Sequence, residues 1–449
     1  MSTTTSSSAA TAGTAAPGLR ERLSEELFLW RDGQALLRAG RIPIEQIAAS
    51  YGTPAYIYDE SLMVRQYERL RSALPDAVEI YYSIKANPHP RVITAFVKQG
   101  AGCEIASGGE YVLARRSGVF ARRIVFAGPG KGADELEYVV AHGIGEIHLE
   151  GFEEIETLNR IAARRGAAVD VSLRVNPGAA LGGGLLMGGQ PTAFGFEEES
   201  LHSVVSAVND ARWLRMRGLH MYTGTQILDA ESLLRHWGHA IEVARQLSDL
   251  AALPLATIDL GGGLGVPYFA HEKDLDLQVL CAGARTLIRD AQADPRLAQA
   301  RFLVEPGRFL VGPSGIYVTS VRTVKTCRGT TFVVLDGGMN HHLAASGNLG
   351  QVVRRDFPII NLSRHDAGAA TRVVVVGPLC TPIDTLGRSV EMELPQPGDL
   401  IGILQSGAYG LTASPLGFLN HPTPAEVMIT DRSAELITAR GASFAECAL

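Results

Sequence analysis

The sequence predicts a two-domain α/β protein, with a (β/α)8 barrel over residues 53–312 and a mostly antiparallel β domain over 313–449. Two patterns carry this expectation. Between Thr53 and Gly312, β-rich runs at 55–58, 78–83, 101–105, 124–127, 146–149, 170–175, 217–221, 257–260 and 302–304 alternate with amphipathic segments such as 90–99, 108–117 and 131–141. Such alternation marks βαβ units on a parallel sheet, and about eight units in roughly 250 residues fit a closed barrel. After Pro313 the β-rich runs 317–325, 331–335, 371–376, 400–404 and 426–429 follow one another across Gly and Pro turns, with sparse helical periodicity. That pattern reads as a Greek-key or barrel-like β unit. At 449 residues the chain has room for both, since single cores stop growing near about 250–300 residues.

The remaining segments are placed by composition. Residues 1–22 carry no charge before Arg20 and are rich in Ser, Thr, Ala and Gly. They read as a disordered tail, lacking the positive start and apolar centre of a signal peptide. Residues 23–52 form an N-terminal segment that chain order assigns to neither domain, with packing on the β domain one option. Residues 180–190 are too glycine-rich for a helix or strand interior; two readings stand, a mobile loop over the active site and an uninvolved surface excursion. No stretch reaches the ~18–20 apolar residues of a membrane span, so the cytoplasm is expected.

A hydrophobic content of 46% and charged content of 20% describe an ordinary globular protein. The net charge of −6 gives no basic footprint for nucleic acid, and pairs such as Arg115-Arg116 read as solvated helix faces. Five cysteines without C-x-x-C spacing argue against a disulfide scaffold or a zinc site. His341-His342 suggests a metal only superficially, because adjacent residues of an extended segment point apart.

The most informative stretch is Tyr82-Ser83-Ile84-Lys85-Ala86-Asn87. It sets a lysine just past a β-rich run, where barrel enzymes place reactive groups, and such an amine can act as a nucleophile. Further along, in order, come Gly261-Gly262-Gly263-Leu264-Gly265, Glu305-Pro306-Gly307-Arg308, Gly377-Pro378-Leu379-Cys380 and Gly407-Ala408-Tyr409-Gly410. The three glycines after run 257–260 suit backbone amides cradling a phosphate.

As an ordered set over roughly residues 53–427, these motifs resemble the fold-type III pyridoxal-phosphate decarboxylases, the family of diaminopimelate and ornithine decarboxylases. The resemblance implies an alanine-racemase-like barrel, pyridoxal 5'-phosphate as cofactor and a homodimer with composite active sites. On that resemblance Lys85, with a lowered pKa, forms the Schiff base, and Glu305 bonds the pyridine nitrogen and keeps it protonated, so that the ring can accept electrons. Gly261, Gly262, Gly263, Gly307 and the Thr225 hydroxyl serve the cofactor, and Arg308 lies near its phosphate or the substrate carboxylate. Tyr222 replaces a histidine that stacks on the ring, and an aromatic side chain still stacks. Glu104 stands near the Schiff base, where Asp is commoner, and Arg174 lines the site, with a buried ion pair as its rival reading. Cys380 is the proton donor after decarboxylation, a credible role for a thiol of pKa near ~8.5, and like Tyr409 it comes from the second subunit. Asp336 faces substrate.

Diamine-forming relatives carry an acid after this cysteine. Here it is Thr381, with Asp384 three residues on as a substitute. An ammonium buried without a carboxylate is costly, so free diaminopimelate, lysine and ornithine are disfavoured. The form Gly-Pro-Leu-Cys-Thr-Pro resembles a specialised branch that decarboxylates conjugated amino acids, including aminoacyl groups on acyl carrier proteins in natural-product assembly. The expectation is a glutamyl- or aspartyl-type conjugate, with diaminopimelate decarboxylation as the alternative. A racemase on this fold would place an arginine at the pyridine nitrogen, which Glu305 opposes. A catalytically dead regulatory relative would have lost Lys85 or the glycine turn.

Overall fold

The computed structural model describes residues 28–31, 34–37, 42–178, 185–186, 191–269, 271–349, 354–364, 370–430 and 433–441. The 1–22 tail and most of the 180–190 segment lie outside them. Within that segment Leu185–Leu186 is described, and it pairs antiparallel with Gly224–Thr225.

The first strand described in detail, β1 (Ala55–Asp59), is buried along its length. It is followed by the parallel strands β2 (Val78–Ser83), β3 (Gly102–Ile105), β4 (Ile124–Phe126), β5 (Glu146–Leu149), β6 (Val169–Asn176), β7 (Leu214–His220), β8 (Thr257–Asp259) and β9 (Arg301–Val304). Each pairs with the next in sequence, and β9 pairs with β2, so the sheet closes on itself. The helices between them start where the sequence supplies side-chain caps. Asp59 accepts from Ser61 and Leu62 N–H ahead of Glu60–Ala73, and Asp229 and Asp276 do likewise for Ala230–Ala251 and Leu277–Gln292. Such caps satisfy amides that have no partner within the helix. Leu62, Met63, Tyr67 and Leu70 bury one face of Glu60–Ala73, the i, i+3, i+4 spacing of a helix laid on a sheet.

The second sheet contains β10 (Gly315–Cys327), β11 (Thr330–Leu335), β12 (Ile359–Asn361), β13 (Thr371–Val376), β14 (Thr385–Met392), β15 (Leu400–Ile403), β16 (Ala425–Ile429) and β17 (Ala434–Thr438). Its main path runs β14-β13-β11-β10-β1-β16-β17, with β15 joined to β10 and β12. Only the β11–β13 and β1–β16 pairings are parallel. This corrects the expectation that run 55–58 opens the barrel. β1 lies between β10 and β16, antiparallel to the first and parallel to the second. A short apolar run shows that it is buried without showing in which sheet. The helix Ile44–Tyr51 also joins this unit, as Ile44 and Ile47 pack in one cluster with Ile57, Ile316, Val318 and Val427.

Candidate functional site

Two polar layers cross the barrel interior below the C-terminal ends of its strands. In the lower one, Glu146 on β5 accepts from Ser172 Oγ on β6 and from Thr257 Oγ1 on β8, the latter at 2.9 Å. Strands β5 and β8 are not neighbours in the sheet, so this contact spans the lumen. In the upper layer, His148, His220, Asp259 and Glu305 are buried, with polar atoms all within 4.8 Å of one another. The imidazoles lie 4.4 Å apart between ring centres, and His220 Nε2 is 3.3 Å from Glu305 Oε2. Burial pushes His220 down to about 3 and His148 well below its ordinary value, so both rings are neutral. Of these four, the sequence reading had named Glu305 alone.

Above this layer opens a cavity of about 580 Å³. Lys85 enters it from a single 3₁₀ turn, Ile84–Ala86, directly after β2. Its Nζ lies 3.4 Å from the Glu104 carboxylate at the end of β3, and Ser83 Oγ donates to Glu104 Oε2 at 2.5 Å. The lysine was expected to have a lowered pKa, and here the structure differs. Burial does push the ammonium down, but Glu104, Tyr409, Tyr222 and Glu305 outweigh it and the net direction is up. Lys85 facing Glu104 is therefore a charged ammonium. Its Nζ also sits 5.8 Å from the centre of the Tyr222 ring.

Arg174 and Thr225 line the same cavity. Arg174 also forms the buried ion pair that was its rival reading, with Nη1 2.8 Å from Glu150 Oε1. The Glu150 carboxylate is in turn 4.0 Å from the buried Lys131 Nζ. Glu150 directly follows β5 and His220 ends β7, so the strand-end rule that found Lys85 also points to them. Gly261–Gly263 form the turn after β8, with φ of +70° at Gly261 and +93° at Gly263. A Cβ on Gly263 would come within 2.6 Å of the Gly224 carbonyl, and one on Gly307 within 2.9 Å of Ala86 Cβ. Only glycine fits these places. Arg308 is half-buried between the Tyr268 and Tyr409 rings, 5.6 and 4.8 Å from their centres.

Tyr409 had been expected at the site from the second subunit. It lines the cavity of its own chain, because the loop after β15 folds back onto the lysine turn. Tyr409 N–H donates to the Ala86 carbonyl at 2.8 Å, and Asn87 Nδ2 donates to the Gly407 carbonyl at 3.1 Å.

Eight expected residues are not among those lining this cavity. Of the four glycines, Gly263 and Gly307 line a small adjoining pocket with Lys85 and Arg308, and Gly261 and Gly262 line neither. The other four are Cys380, Thr381, Asp384 and Asp336. Cys380 is exposed, beside the half-buried Thr381. Asp384, expected to face substrate, spends both oxygens on backbone amides, taking Met339 N–H of the loop after β11 at 2.7 Å and Leu379 N–H of its own loop at 2.8 Å. Asp336 likewise takes Ser320 N–H at 2.9 Å and Thr53 Oγ1 at 2.6 Å. Both carboxylates satisfy buried donors that would otherwise be stranded.

The cavity suits pyridoxal phosphate on observations internal to the structure. Glu305 Oε1 and Arg308 Nε are buried without a hydrogen-bond partner, one an acceptor for a ring nitrogen and the other a donor for a phosphate. A glycine turn and an amine complete the set. A barrel with this end of its strands so equipped defines a pyridoxal-phosphate-dependent enzyme of fold type III. Comparison with known proteins narrows the class. The family described as "Pyridoxal-dependent decarboxylase, pyridoxal binding domain" matches residues 60–312. The chain is 39% identical over 402 residues to the L-glutamyl-[BtrI acyl-carrier protein] decarboxylase of Niallia circulans, covering 89% of this chain and 94% of that protein. It is 30% identical to the diaminopimelate decarboxylase of Aquifex aeolicus, covering 92% and 94%. The crystal structure of diaminopimelate decarboxylase from Helicobacter pylori complexed with L-lysine superposes with a TM-score of 0.80 at 27% identity, covering 89% and 97%. The chain belongs to the pyridoxal-dependent decarboxylase family, and its cofactor is pyridoxal phosphate. No described helix is long and apolar enough to cross a membrane.

Proposed function

We propose that this enzyme removes the α-carboxyl group of an amino acid held as a thioester on an acyl carrier protein, a glutamyl- or aspartyl-type unit that leaves as the ω-aminoacyl product. One observation carries the reading. Among the described residues, the acids lining the cavity are Glu104 and Glu305, one engaged with Lys85 and the other in the His220 layer, while Thr381 stands where a distal ammonium would need an acid. A conjugate whose far end is a neutral thioester needs no such acid. The 39% identity to a decarboxylase named for a carrier-linked glutamyl group supports the same reading.

When bound, pyridoxal phosphate supplies the electron sink for the bond to carbon dioxide. Lys85 supplies the amine that holds it, oriented by Glu104. Glu305 would accept at the ring nitrogen, Tyr222 would pack on the ring, and Arg308 with the Gly261–Gly263 turn and Thr225 would hold the phosphate. Cys380 of the partner subunit returns a proton from Sγ to the substrate carbon, in a homodimer with composite sites. The exposed, unbridged Cys380 suits a reducing compartment, and we place the reaction in the cytoplasm. Side-by-side assays test the substrate: kcat/KM for a glutamyl-loaded carrier should exceed that for free meso-diaminopimelate by about 100-fold or more. Efficient turnover of the free diamino acid alone would sink the proposal in favour of diaminopimelate decarboxylation.

A further inference from the structure

Asp259 is buried with no exposed surface, and the reaction as described leaves it unused. Its Oδ1 accepts the Gly261 N–H at 2.9 Å, and its Oδ2 has no hydrogen-bond partner. That free oxygen shares the 4.8 Å cluster with the Glu305 carboxylate and the two imidazoles. Two carboxylates this close in a dry interior do not both ionise. The cations nearby are committed, Lys85 to Glu104, Arg174 to Glu150 and Lys131 to Glu154. With His148 and His220 neutral, the carboxylate pair retains one proton.

We propose that this proton resides on Asp259, so that Glu305 meets the cofactor nitrogen as an anion and Asp259 acts as a positioning residue behind it. The geometry favours that side. Glu305 borders the cavity and has the His220 imidazole beside it, Nε2 3.3 Å from Oε2, whereas Asp259 is sealed in the layer with one backbone donor. Burial, followed by the neighbouring Glu305 charge, pushes Asp259 well above the usual carboxylate range. A carboxylate that accepts a hydrogen bond from a neutral acid is a weaker base, so the ring nitrogen keeps its proton. The inference rests on Glu305 as the partner of that nitrogen.

The test uses holoenzyme and Asp259→Asn, whose amide retains an oxygen for Gly261 N–H and a donor for Glu305. In an infrared difference spectrum, wild type should show the C=O band of a protonated carboxyl that Asp259→Asn lacks. With cofactor labelled at the ring nitrogen, its NMR shift should stay at the protonated position in Asp259→Asn. In Asp259→Leu it should move towards that of free pyridine, with kcat about 10- to 100-fold lower. No band lost in Asp259→Asn, or a nitrogen shift that moves in that variant, overturns the proposal. An unprotonated nitrogen in wild type overturns instead the role of Glu305. Both readouts are taken without substrate, so neither depends on what the enzyme decarboxylates.

Discussion

The barrel residues and the loop around Cys380 reach order by different routes. Lys85, Glu104, His220, Asp259 and Glu305 sit at the ends of strands whose positions are fixed by closure of the sheet. Their side chains converge on one lumen, and buried polar atoms there, such as Glu305 Oε1, are left without partners. The Cys380 loop is instead tied to a neighbouring loop, by Asp384 taking its own Leu379 amide and the Met339 amide after β11, and it presents the thiol outward. A barrel therefore builds a pocket within one chain, whereas this loop supplies a reactive group and no pocket. Its proposed target is the barrel of a second copy.

The largest expected effect breaks that division. Lys85→Ala and Cys380→Ala should each lose activity by at least about 100-fold. Mixed and reassembled, the two inactive variants should recover about a quarter of native activity, as half the dimers then carry one intact site. No recovery would mean that Cys380 serves its own barrel.

Acid titration compares the domains next. The barrel buries neutral His220, held near about 3, and the β domain buries His341 and His342, held near about 4 and 3. Lowered folded values mean that the unfolded chain binds the extra protons. Their contribution is full above about pH 6.5 and is lost as pH falls towards 3, on the order of several kcal/mol in total. Denaturant titrations between pH 7 and 4 should show it, and His342→Asn should flatten the slope. The smallest effect is local: Asp384→Ala should cost about 1–3 kcal/mol and lower kcat, while bound cofactor keeps its absorbance. A changed absorbance would put the loop at the cofactor of its own chain.

The alternation of β-rich runs with helices was enough to outline the barrel, because strand and helix periods are local. Which sheet a run joins is not local, and β1 shows it: its partners lie in β10 and β16, each more than two hundred residues away. The site divides in the same way. Lys85 was legible because it follows an apolar run, and Glu104, Arg174 and Glu305 because their motifs resemble those of the family. His148 and Asp259 were not, since a polar residue inside a buried strand carries no mark of facing a lumen. Asp336 and Asp384 were read from position and spacing alone, which do not show that each carboxylate also accepts donors of its own domain. Tyr409 was assigned to the wrong subunit because the return of the chain onto Ala86 is a tertiary event.

The place of β1 has a consequence for synthesis. At ribosomal rates of about 5–20 residues per second, Ala55–Asp59 emerges roughly 20–70 seconds before Ala425–Ile429, the parallel neighbour it will pair with. This strand must wait with both edges unpaired while an entire barrel is translated behind it, so the β domain closes only when the chain is almost complete.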